Sequence, residues 1–88
     1  MGGRTTLTQA DLELLVADYI NQQMTAGAIF TAYDLTLGLR DANPHLHIPH
    51  DAVRVAVHAQ MAAIVANQLY ERETAAFGGG TALRYVPR

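Results

Sequence analysis

Leu69-Tyr70-Glu71-Arg72-Glu73-Thr74 and Thr81-Ala82-Leu83-Arg84-Tyr85-Val86 flank Ala75-Ala76-Phe77-Gly78-Gly79-Gly80, and the reading of this stretch decides the fold. Each flank mixes aromatic and β-branched residues with polar ones, as a strand does. The intervening glycines supply positive backbone torsions for a reversal without steric cost. The pattern predicts a terminal β-hairpin. Upstream of it the apolar residues recur with helical periodicity, so the remaining question is how many helices precede the hairpin.

Three do. Thr8 and Asp11 form a capping-box pair, with the shorter Asp standing in for Glu, and Leu7 and Leu12 occupy the staple positions around it. Leu12, Leu15, Val16, Tyr19, Ile20 and Met24 then fall on one helical face, and Gly27 is a natural left-handed stop. Ala28-Ile29-Phe30 is a short apolar bridge able to pair with the hairpin as a third strand. Thr31 with Asp34 repeats the capping box, and Phe30 with Leu35 repeats the staple. The second helix therefore runs over 32–42, burying Ala32, Leu35 and Leu39, and ends where Pro44 pushes Asn43 out of the helical region. A connector, 45–49, leads to Pro49, which suits a helix start, and Asp51 favours the helix dipole behind it. Val53, Val57, Met61 and Ile64 form the inward stripe of the third helix. Val55, Ala59 and Ala62 lie off that stripe, leaving the helix apolar beyond one face. Residues 1–6 read as a flexible tail, and the rest as a single domain over 7–88.

The order of helix, short strand, helix, helix and hairpin, with Ile29-Phe30-Thr31-Ala32-Tyr33-Asp34 leading into the second helix, resembles a small bacterial winged helix-turn-helix domain. The resemblance covers about residues 7–87 and lies in element order and boundary chemistry, at the level of fold. It implies an α+β winged-helix fold of three helices, a C-terminal hairpin wing and a short third strand. It further implies that the third helix, 50–66, enters the major groove while the wing, 72–84, touches backbone or minor groove.

Composition limits the alternatives. Half of the 88 residues are apolar, which argues against disorder, and there is no cysteine for a disulfide or thiolate site. No apolar run approaches a membrane span and no charged-then-apolar leader opens the chain, so the expectation is a soluble cytoplasmic protein without membrane contact. The chain also lacks serine and has no Gly-rich loop ahead of a helix, so an enzyme is not expected. The four tyrosines read as core-edge residues with hydrated hydroxyls. Six arginines and no lysine face eight carboxylates, a net charge of −2. Only the hairpin end, with Arg72, Arg84 and Arg88 against Glu71 and Glu73, carries more cations than acids.

Within this frame His50, Arg54 and His58 lie at successive i, i+4 positions on one face of the third helix, beside Asp51 and Val55. Arg54 is suited to fork onto a guanine edge, the two histidines to meet phosphates or bases, and Val55 to contact a thymine methyl. The other reading of the same face is a mixed solvent surface on a helix whose partner is a protein. On the wing, Arg72 and Arg84 are expected to project from the ribbon towards a phosphate, with Phe77 at the tip and Gly78 and Gly79 allowing close approach. Cross-strand pairing with Glu71 or Glu73 is the competing role. His45, His47 and His50 are the weak candidates for a metal, since their spacing matches no established finger, and no cofactor is expected.

The leading functional expectation is a small transcriptional regulator that binds duplex DNA sequence-specifically as a homodimer. Dimerisation would compensate for weak charge per subunit, with the apolar surface of 55–66 available for it. The alternative is a protein–protein interaction module on the same fold that does not bind nucleic acid. The acid excess and absent lysine support that alternative.

Overall fold

The structure, a computed structural model, describes residues 5–77 and 79–88, with Phe77 described as a backbone position only. It is an α+β domain of three helices and an antiparallel three-stranded sheet. In chain order the elements are β1 (Thr5–Thr6), α1 (Gln9–Thr25), β2 (Phe30–Thr31), α2 (Ala32–Ala42), β3 (Leu46–His47), α3 (His50–Ala66), β4 (Tyr70–Phe77) and β5 (Gly80–Pro87). The sheet runs β2-β5-β4, so the third strand expected before α2 does pair with the hairpin. Phe30 stands opposite Tyr85, and Thr31 opposite Arg84. No helix among the described residues is long and apolar enough to cross a membrane.

Local chemistry sets the helix ends. At α2 the capping box is complete: Asp34 N–H donates to Thr31 Oγ1 and Thr31 N–H to Asp34 Oδ2, each at 3.0 Å. At α1 only one half forms, with Asp11 N–H donating to Thr8 Oγ1 at 3.1 Å. Both α1 and α3 end in the same reversal. Gly27 N–H returns to Met24 O and Ala28 N–H to Gln23 O, as Gln68 N–H returns to Val65 O and Leu69 N–H to Ile64 O. The left-handed position is Gly27 in the first case, at φ 64°, but Gln68 in the second, at φ 61°.

The core forms where the three helices meet the sheet. Leu12, Val16 and Ile20 of α1, Leu35 and Leu39 of α2, and Val53, Val57 and Met61 of α3 close over Phe30, Tyr70 and Tyr85. The Phe30 ring packs 5.8 Å from Tyr70 and 5.5 Å from Tyr85, centroid to centroid. Ile64, expected on the inward stripe, is only partly buried at its margin. Gly38 of α2 lies against Tyr19 of α1, where an added Cβ would meet the tip of the tyrosine ring.

Three expectations need correction. Thr5 and Thr6 are not tail: they pair in parallel with Leu46 and His47, and Thr5 N–H donates to His45 O at 3.0 Å. The connector, which would otherwise leave those backbone groups to water, thereby gains a partner; residues 1–4 lie outside the described residues. The hairpin strands are longer than expected, because Ala75, Ala76 and Phe77 pair with Ala82, Thr81 and Gly80. Small residues fit a ladder once its register is set, so only Gly78 and Gly79 separate the paired positions. Tyr70 and Tyr85 are buried rather than edge residues. Their hydroxyls find protein partners, Tyr70 donating to Ala28 O at 3.0 Å and Tyr85 meeting His58. The connector also contributes to the core: Ile48 is buried and its carbonyl accepts from Arg40 Nε at 2.9 Å.

Candidate functional site

The N-terminal half of α3 faces β5 across a groove of about 300 Å³, closed at one end by the start of α2. Thr31, Tyr33, His50, Arg54, His58 and Leu83 line it, so three of the residues singled out on α3 meet in one place. No carboxylate lines this groove among the described residues.

His50 is oriented from below. The Thr36 hydroxyl, fully buried, has one proton and donates it to Ala32 O at 2.9 Å. Its oxygen lies 2.9 Å from His50 Nδ1 and can therefore only accept there. His50 accordingly carries its proton on Nδ1, which leaves Nε2 as the second polar atom of the ring. Tyr33 meets the His50 ring edge-on at 5.6 Å, and is itself 44% exposed.

His58 is held from the sheet, its Nδ1 hydrogen-bonded to the hydroxyl of the buried Tyr85. Burial pushes the His58 pKa below its ordinary value, and the nearby Arg54 and Arg72 guanidinium groups lower it further. His58 is thus a neutral imidazole near neutral pH. Burial raises the Tyr85 phenol above its usual range, with Arg72 acting in the opposite direction, so it remains protonated. The two histidines are anchored groups rather than freely solvated ones.

The arginines divide by partner. Arg54 lies 3.7 Å from Asp51, one turn back on the helix, and the Asp51 side chain is 90% exposed; so open a pair is weak. Arg84 stands opposite Glu73 in the ribbon and forms an ion pair with it, the competing role read from the sequence. Arg88 reaches Glu71 at 3.4 Å. Arg72 stands opposite Tyr85, has no carboxylate or hydrogen-bond partner among the described residues, and projects its field onto His58. Arg72 and Arg84 share the ribbon but not a face. Directly opposed residues point to the same side, so Arg72 lies with Tyr85 on the helix-facing side while Arg84 lies with Glu73 on the other.

The remaining candidates scatter. Val55 is 60% exposed and sits outside the groove, lining with Ala59, Gln60 and Glu13 a shallower cleft between α1 and α3. Gly79 occupies the turn with open space around it. Gly78 and the side chain of Phe77 lie outside the described residues. His45, His47 and His50 do not converge: no group of three or more His, Cys, Asp or Glu among the described residues could hold a metal ion. Sequence reasoning missed Thr36, Tyr33 and Tyr85 as members of the site. Thr36 carried a weak signal, as a hydroxyl on the buried stripe beside Leu35. No family model, curated protein or solved structure matches this chain.

Proposed function

We propose that this chain binds duplex DNA in the manner of a winged helix-turn-helix, as a homodimeric transcriptional regulator, with α3 in the major groove and the β4–β5 hairpin as the wing. One observation carries the reading. Arg54 on α3 and Arg72 on β4 both bear on His58, so helix and hairpin offer their most available cations to the same side of the molecule. A duplex needs that arrangement, since phosphate contacts and base contacts must be made together. Arg54 reads a base edge, His50 and His58 support it, and Arg72 holds a phosphate. Arg84, tied to Glu73 on the far face, has no part. The surface of Val55, Ala59 and Ala62 serves the partner subunit.

Fluorescence anisotropy with a mixed-sequence duplex at several salt concentrations tests this. One phosphate-neutralising cation per subunit, Arg72, gives a log–log salt slope of about −1 for one protomer and about −2 for a dimer. An affinity independent of salt contradicts the reading.

A second reading, a protein-interaction module without nucleic-acid contact, is favoured by the pairing of Arg54, Arg84 and Arg88 with carboxylates and by the exposure of Val55. It requires that Val55→Glu or Ala59→Glu dissociate an assembly, and a chain that stays equally associated excludes it.

A further inference from the structure

We propose that the edge of β5 beside α3 takes an extended peptide segment of a partner protein as an added strand, with an acidic side chain of that segment facing Arg54. The open edge is visible in the sheet itself. β2 is two residues long and pairs only with Tyr85 and Arg84, whereas β5 reaches back to Gly80. Beyond Thr31 the chain turns into α2, so no described residue pairs with 80–83 on that side. Pro87 fixes the direction of the backbone groups. It has no N–H to give Tyr70, and Arg88 N–H donates to Leu69 O at 3.2 Å, which makes Tyr70 and Pro87 a pair without direct hydrogen bonds. Antiparallel pairs alternate, so Gly80, Ala82, Arg84 and Val86 bond to β4, while Thr81, Leu83 and Tyr85 turn their N–H and C=O the other way. Tyr85 meets Phe30 there. Thr81 and Leu83 present theirs to the groove that they line.

Two further observations select the occupant. A docked helix satisfies its own backbone and would leave Thr81 and Leu83 unpaired, whereas an extended segment supplies the matching donors and acceptors. The outer edge of β4 is blunted against such pairing by three consecutive charges, Glu71, Arg72 and Glu73; β5 carries none from Gly80 to Leu83. Charge then sets the chemistry of the segment. The residue opposite Leu83 exchanges hydrogen bonds with it and shares its face, which is the face of Tyr85 and of α3. Its side chain therefore points towards the α3 wall, where Arg54 stands and no carboxylate lines the groove among the described residues. Asp51 holds Arg54 only through an exposed contact at 3.7 Å, which an acid within the groove displaces at little cost.

The test is an NMR titration of the full chain with the peptide acetyl-Thr-Val-Glu-Val-Thr-amide at constant ionic strength. Amide shifts centred on Thr81 and Leu83, with inter-chain NOEs from the peptide backbone to both residues, are the expected result. Methylating the nitrogen of the central glutamate removes its bond to β5 and should weaken binding by at least about tenfold. Methylating either valine nitrogen, which points away from β5, should leave the affinity unchanged. Glutamine in place of that glutamate, and Arg54→Gln in the chain, should each weaken binding about threefold, and the two together no further. Leu83→Pro removes one outward N–H, leaves the ladder to β4 in place and should abolish binding; the methylated peptides examine the same bond without altering the protein. No shift at millimolar peptide, equal losses from all three methylations, or shifts remote from Thr81 and Leu83 would each overturn the proposal. So would the same inter-chain contacts in the absence of peptide, since a second copy would then be the occupant. The inference goes beyond the duplex reading and fails separately from it: a chain that takes the peptide and ignores duplex DNA retains the first and loses the second.

Discussion

His58 of α3 and Tyr85 of β5 hold each other across the joint between helix and hairpin, imidazole Nδ1 against phenol oxygen. Tyr85 is 1% exposed and packs on Phe30, so the bond ties the recognition-helix candidate directly to the centre of the core. Tyr85→Phe keeps the ring and removes the partner. A partly buried ring nitrogen then loses its hydrogen bond, and the expected cost is about 1 kcal/mol in a urea unfolding series, with a shift of the His58 ring nitrogen resonances. An unchanged His58 spectrum would contradict the bond.

The same residue sets a pH dependence. His58 has a folded-state pKa below the ordinary 6.5, because of burial first and of Arg54 and Arg72 second. Between those two values the unfolded chain binds a proton that the folded chain does not, so folding stability increases with pH there. The contribution is complete above 6.5 and is lost as pH falls through the folded-state pKa. Urea midpoints across that range should fall towards acid more steeply for the parent than for His58→Gln. Parallel curves for the two proteins would refute the assignment.

Gln68 occupies a left-handed backbone position that α1 fills with a glycine. Gln68→Gly should therefore stabilise the chain by about 0.5–1 kcal/mol, the relief of side-chain strain exceeding the added freedom of the unfolded chain. A lower urea midpoint in the variant would contradict this account of the α3 terminus.

Arg72 and Arg84 provide a matched pair on opposite faces of one ribbon. Arg72→Gln should weaken duplex binding for all sequences alike and reduce the salt slope by about 1 per subunit. Arg84→Gln should alter neither, since Glu73 already neutralises that charge. Anisotropy titrations of both variants distinguish the faces, and equal losses would place the wing contact elsewhere.

What the sequence revealed was local. Thr31 with Asp34 fixed the start of α2, Gly27 the end of α1 and Pro44 the end of α2, because each acts within one turn of itself. The hairpin was legible as a hairpin, yet not in its register. Ala75, Ala76 and Phe77 carry no strong preference between strand and turn, so the reversal reads as spanning 75–80, whereas the strands pair as far as Phe77 and Gly80. Register decides parity, and parity decides which arginine faces the helices; a one-residue difference would put Arg72 and Arg84 on the same face. His50 and His58 were found through their helical spacing, but their partners, Thr36 and Tyr85, lie 14 and 27 residues away. No pattern along the chain records contacts of that range. The same Thr-x-x-Asp motif gives a complete box at Thr31 and half of one at Thr8, a difference the motif itself does not encode.

The central claim is that α3 and the hairpin act as one surface for a duplex. A backbone NMR titration with a mixed-sequence duplex, at low and then moderate salt, tests it most directly. Shifts confined to residues 50–58 and to Arg72 with its neighbours on the helix-facing side of the ribbon, fading as salt rises, are the predicted result. A spectrum unchanged at low salt, or shifts confined to the α1–α3 cleft around Val55 and Ala59, would contradict it.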